Sequence, residues 1–178
     1  MLVSARFACA DQQEALVYEN RGLGISLQGP PGWCMYKGMK RRPDILAVFS
    51  RLPYTLEDRD NPKILLLKQK AVTKGPDSPL ALARRDLEVL GLMKNLKNVE
   101  ETSVLEEPNQ SAIGGRDCAE FSYEIRAPHR KNIEDTKGLE YIFLKDGSFY
   151  IISCGARSEF FDKYRGDFDQ AVKSFILQ

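Results

Sequence analysis

The sequence predicts an α+β fold built on an antiparallel sheet. Three observations carry this prediction. Several short segments alternate apolar and polar residues with period two, and two of the joints between them are Gly-Gly or Asp-Gly turns of the hairpin kind. Two longer segments instead repeat apolar residues at three- and four-residue steps, as helices with one buried face do. The chain has 178 residues and no repeat, low-complexity tract or interdomain linker, so the expectation is one domain over 15–178 behind a flexible segment 1–14. A domain near this size buries roughly 70% of the surface its unfolded chain exposes, enough for a core without staples.

The elements follow in order. Residues 15–20 and 23–27 flank the turn-prone Arg21-Gly22 and form a hairpin. Gly29-Pro30-Pro31-Gly32 breaks it, because proline lacks the ladder donor, and an extended segment restarts at 33–36 with Trp33 as a core anchor. Segments 44–52 and 63–72 are short aliphatic runs bounded by Pro, Asp and Asn, and so strands, joined by an acidic surface loop. Ser78 as N-cap and Pro79 at the first helical position open a helix over 79–95, whose stripe Leu80, Ala83, Leu87, Leu90 and Met93 faces the core. Strands return over 99–126 around Gly114-Gly115. In the second of them Ala119, Phe121, Tyr123 and Ile125 share one face while Glu120, Ser122, Glu124 and Arg126 share the other, the pattern of a half-buried strand. A polar loop over 127–137 leads to a second hairpin centred on Asp146-Gly147. From Ser158 as cap, Phe160, Tyr164, Phe168, Ala171, Val172 and Phe175 mark one face of a closing helix that Gly166 divides or bends. Trp33, Phe121, Tyr123, Phe143, Ile152, Phe168 and Phe175 are expected in a single core.

Composition excludes whole classes of function. Lys and Arg number 26 against 25 Asp and Glu, so no broad basic field exists for a nucleic-acid backbone. No run of about 18 apolar residues occurs, which excludes a spanning helix. His129 is the only histidine, so catalytic triads and multi-histidine metal sites cannot be written, and no cofactor is expected. Glu120 and Glu124 line up on one strand face with no nucleophile or metal to work with, so an enzyme is the least supported class.

Cys9, Cys34, Cys118 and Cys154 contain no C-x-x-C pair, which argues against zinc or redox motifs. Cys118 and Cys154 sit in strand-like segments, where a free cysteine is a small buried hydrophobe. The start MLVSARFACA carries an Ala8/Ala10 pair and a Cys9 that echo an export signal or lipoprotein box, although Arg6 interrupts the apolar stretch such a signal needs.

Several strings resemble one family. GLGISLQGPPGW is similar to the glycine, hydrophobic strand and Pro/Gly-Trp entry of PsbP-like domains, named for the extrinsic subunit of photosystem II and sharing their fold with the Ran-binding import factor Mog. NPKILLLKQ resembles the family's Asn-led central strand, GGRDCAEFSYEIR its aromatic-alternating strand, KDGSFYIISCGA its late hairpin and FDQAVKSFIL its closing helix. The resemblance runs over about residues 16–177. It implies an α/β/α sandwich, an antiparallel central sheet with helices on its faces, and a non-catalytic role in assembling or stabilising a complex. Bacterial relatives of this kind are exported, which makes the periplasm or envelope the expected compartment and the cytoplasm the alternative.

The leading expectation is an accessory protein acting through contacts with an acidic protein surface. Two basic clusters are its candidate contacts: Lys37, Lys40, Arg41 and Arg42 after the Trp33 strand, and Arg126, His129, Arg130 and Lys131 around the 127–137 loop. The alternative is a small-ligand carrier with a pocket lined by Tyr18, Trp33, Phe143 and Tyr150.

Overall fold

The computed structural model describes residues 6–9, 15–39, 41–51, 62–73, 75–92, 101–127 and 135–178. Eight strands form one sheet in the spatial order β1 (Arg6–Cys9), β4 (Cys34–Lys37), β5 (Ile45–Ser50), β6 (Lys63–Lys70), β10 (Ser148–Arg157), β9 (Thr136–Lys145), β8 (Arg116–Arg126) and β7 (Glu101–Ile113). Every pairing is antiparallel. Helix α1 (Pro79–Leu92) covers one face and α2 (Phe161–Lys173) the other, giving the α+β sandwich. Beside α2 lies a second sheet of three strands, β11 (Ile176–Leu177), β3 (Ile25–Gln28) and β2 (Val17–Asn20).

The hydrophobic residues therefore divide into two cores rather than the single one expected. Strand alternation puts Phe121, Ile142, Phe149 and Ile151 under Leu82 and Ala83 of α1, with Leu80, Leu87 and Leu90 packed around them. Trp33, Phe49, Leu66, Phe143, Ile152, Phe168 and Phe175 lie on the other side with α2 and the small sheet. Tyr123 is half-buried; the other six residues named for the core are buried. Its ring lies over Gly138, where a Cβ would stand 2.4 Å from Cζ, so only glycine allows this packing. The face of β8 expected to be polar is partly covered as well, with Cys118 and Ser122 buried and Glu120 and Glu124 half-buried.

Local chemistry explains the joints. The Ser78 hydroxyl accepts from the Ala81 N–H at 3.3 Å, as an N-cap should. Asp146 and Gly147 both have positive φ, 48° and 65°, the geometry of a two-residue type I′ hairpin. Met93 and the 52–61 loop lie outside the described residues.

Four expectations are corrected. Segment 1–14 was expected to be flexible, yet within it Arg6–Cys9 forms the edge strand beside β4, a backbone pairing too short to show as a period in the sequence. Ser158 does not cap α2, which starts two residues later with Phe160 at the cap and no side-chain bond there. Gly166 does not divide α2, because the continuous apolar face of Phe161, Tyr164, Phe168, Ala171 and Val172 holds the helix across it. The helix ends at Lys173, so Phe175 lies beyond it, in the link to β11; Ser174 fixes that exit by donating to the Ala171 carbonyl at 2.6 Å and accepting from the Gln28 N–H at 2.9 Å.

Cys118 and Cys154 are free and buried, as expected; burial first, then Glu120, pushes the Cys118 thiol up to about 11. Cys34 is disulfide-bonded.

Candidate functional site

Arg126 ends β8 and is exposed, 3.4 Å from Glu101, its register partner on β7, and 3.6 Å from Glu124. The segment that follows is tied at its base: the Asp135 carboxylate accepts from the Ala127 N–H at 3.0 Å, and the Asp135 carbonyl accepts from the Ser158 N–H at 2.9 Å. These bonds anchor the loop to the turn that enters α2. His129, Arg130 and Lys131 lie outside the described residues, as does Lys40.

Register places further cations at this end of the sheet. Arg157 ends β10 opposite Thr136, which in turn pairs with Ile125 beside Arg126. Its guanidinium lies 5.4 Å from the Phe160 ring centroid and 2.6 Å from the Glu159 carboxylate. Lys163, on the first turn of α2, places its ammonium 5.6 Å from Phe160 and 5.0 Å from Tyr164. Arg51 follows β5, lies 5.8 Å from the Tyr164 ring and donates to its hydroxyl at 2.7 Å. From β5 to β8 there are four strand steps, so these groups span about 19 Å along one end of the sheet.

Arg51, Arg157 and Lys163 were not singled out by sequence. Arg51 and Arg157 look like ordinary strand ends, and Phe160 and Tyr164 look like core positions of a helical stripe. Only the strand order brings them beside Arg126.

The other cluster lies elsewhere. Lys37 ends β4, and Arg41 and Arg42 precede β5 at the opposite end of the sheet, where the Asp44 carbonyl accepts from the Lys68 N–H at 2.8 Å. Arg42 holds Asp44 with Nη2 at 2.7 Å and Nε at 3.0 Å, which keeps that carboxyl below the usual carboxylate range. Five strand steps, about 24 Å, separate β4 from β8, so the two clusters do not converge.

The aromatic residues named for a ligand pocket fill the core instead. Tyr18, Trp33, Phe143 and Tyr150 are all buried, and Trp33 stands edge-on to Tyr164 at 6.0 Å and to Phe168 at 6.3 Å. No three His, Cys, Asp or Glu side chains cluster as a metal site among the described residues, and no described helix is long and apolar enough to cross a membrane.

The architecture has known counterparts. The solution structure of cyanobacterial PsbP (CyanoP) from Synechocystis sp. PCC 6803 matches with a TM-score of 0.63 at 14% identity over 95% of each chain. A protein of unknown function from Pseudomonas aeruginosa, PA94, matches with a TM-score of 0.55 at 12% identity, over 92% of this chain and 97% of its own. At such identities the likeness is one of fold. No curated protein matches the chain in sequence. The PsbP family model, however, matches residues 84–177, from α1 through β11 and just over half of the 178 residues. The chain belongs to the PsbP family.

Proposed function

We propose that this protein is a non-catalytic accessory protein of the cell envelope that binds an acidic protein surface through the basic end of its sheet. The observation that carries the reading is the row of Arg51, Arg126, Arg157 and Lys163 along that end of the sheet, which reaches the base of the loop that bears His129, Arg130 and Lys131. Arginine is enriched where proteins bind one another, and Arg157 over the half-buried Phe160 ring joins charge to apolar area there. Lys37, Lys40, Arg41 and Arg42 would form a separate contact at the far end.

The disulfide at Cys34 supports an oxidising compartment, the periplasm or envelope rather than the cytoplasm, because thiol buffers keep cytosolic cysteines reduced. Close packing of Tyr18, Trp33, Phe143 and Tyr150 argues against a ligand carrier built on those residues.

The test begins with affinity purification from the native host and continues with the purified partner. Reversing Arg130 and Lys131 to Glu should leave the unfolding midpoint within about 0.5 kcal/mol of wild type while weakening binding and flattening its salt dependence. A double variant that binds as wild type across the salt series would refute the assignment.

A further inference from the structure

Away from the basic end, a groove of about 270 Å³ runs between the β7–β8 hairpin and the C-terminal half of α2, lined among others by Ile113, Glu120, Tyr141, Asp169, Val172 and Lys173. Glu120 and Tyr141 are register partners on β8 and β9, and Asp169 and Lys173 come from successive turns of α2. Tyr141 is only 6% exposed, yet among the described residues its hydroxyl has no hydrogen-bond partner. Glu120, half-buried beside it, has no ion pair or hydrogen bond there either. Tyr141 thus turns an unpartnered hydroxyl onto the groove from a side chain otherwise buried, with the half-buried Glu120 carboxylate beside it, and both have bonding capacity to offer an occupant.

The chemistry of the lining selects what that is. Glu120 and Asp169 supply carboxylate oxygens, and Asp169 gives one of its two to Arg165 at 3.1 Å. Burial, followed by the field of Glu120, raises the Tyr141 phenol well above its ordinary range, so the hydroxyl is neutral and its lone pairs can accept. Three acceptors therefore stand over an apolar floor of Ile113 and Val172. A primary ammonium has three donors on an apolar stem, which matches this set. A metal ion matches poorly, for want of a third ligating side chain among the described residues.

We propose that this groove binds a primary alkylammonium group, held by Glu120, Asp169 and Tyr141 with its alkyl stem on Ile113 and Val172. Lys173 is exposed at the rim and bonded to neither carboxylate, and it acts as a built-in competitor for them. The group is carried by a free amine or by a lysine side chain of a peptide.

Amide NMR titration of the full chain separates the cases. n-Butylammonium chloride should give saturable shifts confined to residues around Ile113, Glu120, Tyr141 and Val172, and n-pentanol of similar shape should give none. Glu120→Gln should weaken binding about tenfold and Tyr141→Phe several-fold, whereas Lys173→Gln should strengthen it. Asp169→Asn provides an independent second carboxylate variant, and each variant's fold is read from the same spectrum. Tighter binding of a Gly-Lys-Gly peptide than of n-butylammonium supports a protein source, and the reverse supports a free amine. Shifts that fail to saturate by about 10 mM, equal binding of pentanol, unchanged affinity in Glu120→Gln, or the same shifts from micromolar calcium would each overturn the proposal.

Discussion

Glu140 is a carboxylate whose surroundings favour its proton. It lies on β9 under α1, accepts from the Ser153 hydroxyl at 3.2 Å and faces Tyr123, with Asp86 of α1 above it. Burial, reinforced by the Asp86 charge, raises its pKa from 4.5 to about 7. Burial also raises Asp86 itself, against the opposing charge of Arg85. Between the unfolded and folded values the native state holds the extra proton, so stability is full below about pH 4.5 and falls as pH rises through about 7. Glu140→Gln should flatten that slope and be the more stable protein at pH 8, by up to about 3 kcal/mol, in urea unfolding across pH. Parallel pH profiles for the two proteins would show that Glu140 does not titrate in the fold. Cysteine chemistry gives a second check at this scale. In unfolded, unreduced protein, peptide mapping should find Cys118 and Cys154 labelled by a thiol reagent and Cys34 labelled only after reduction.

Among the elements, α2 shows where local propensity yields to packing. Its glycine sits on the exposed side with nothing within 4 Å of a Cβ position, so Gly166→Ala should stabilise the protein by about 0.5–1 kcal/mol, measured as a raised thermal midpoint. A lower midpoint would mean that the helix needs the freedom glycine provides. Phe175 acts from the link that follows, its ring centroid 4.9 Å from that of Phe143, and Phe175→Ala should cost about 3–5 kcal/mol in urea unfolding. Both helices and both central hairpins were legible in the sequence because each repeats its signal over many residues: the 79–95 stripe, the alternation from Cys118 to Ile125, and Asp146-Gly147. β1 and β11 were not legible. They contain four and two residues, too few for a period to appear, and what fixes them is pairing with β4 and β3. The cap at Ser158 failed for a related reason: the strand exit continues through the Asp135 bond to the Ser158 N–H, which moves the helix start to Phe161.

At the scale of the whole molecule, the order of the strands is the information the sequence does not display. β6 pairs with β10, joining Ile64 to Cys154 and Lys70 to Ser148 across the length of the chain, and this places the ends of β5, β8 and β10 together. Arg126 was recognisable as part of a basic loop. Its companions Arg51, Arg157 and Lys163 were not, since each is unremarkable in its own segment and acquires a setting only when the sheet is assembled. The same assembly puts Lys37 and Arg42 at the far end and divides the core between two faces. Hydrogen–deuterium exchange on the complex with the purified partner tests the central claim most directly. The account predicts protection concentrated at residues 126–135 and 157–163, with any at 37–44 arising from the separate contact there; protection confined to other segments, such as the β7–β8 turn, with 126–135 and 157–163 unchanged, would contradict it.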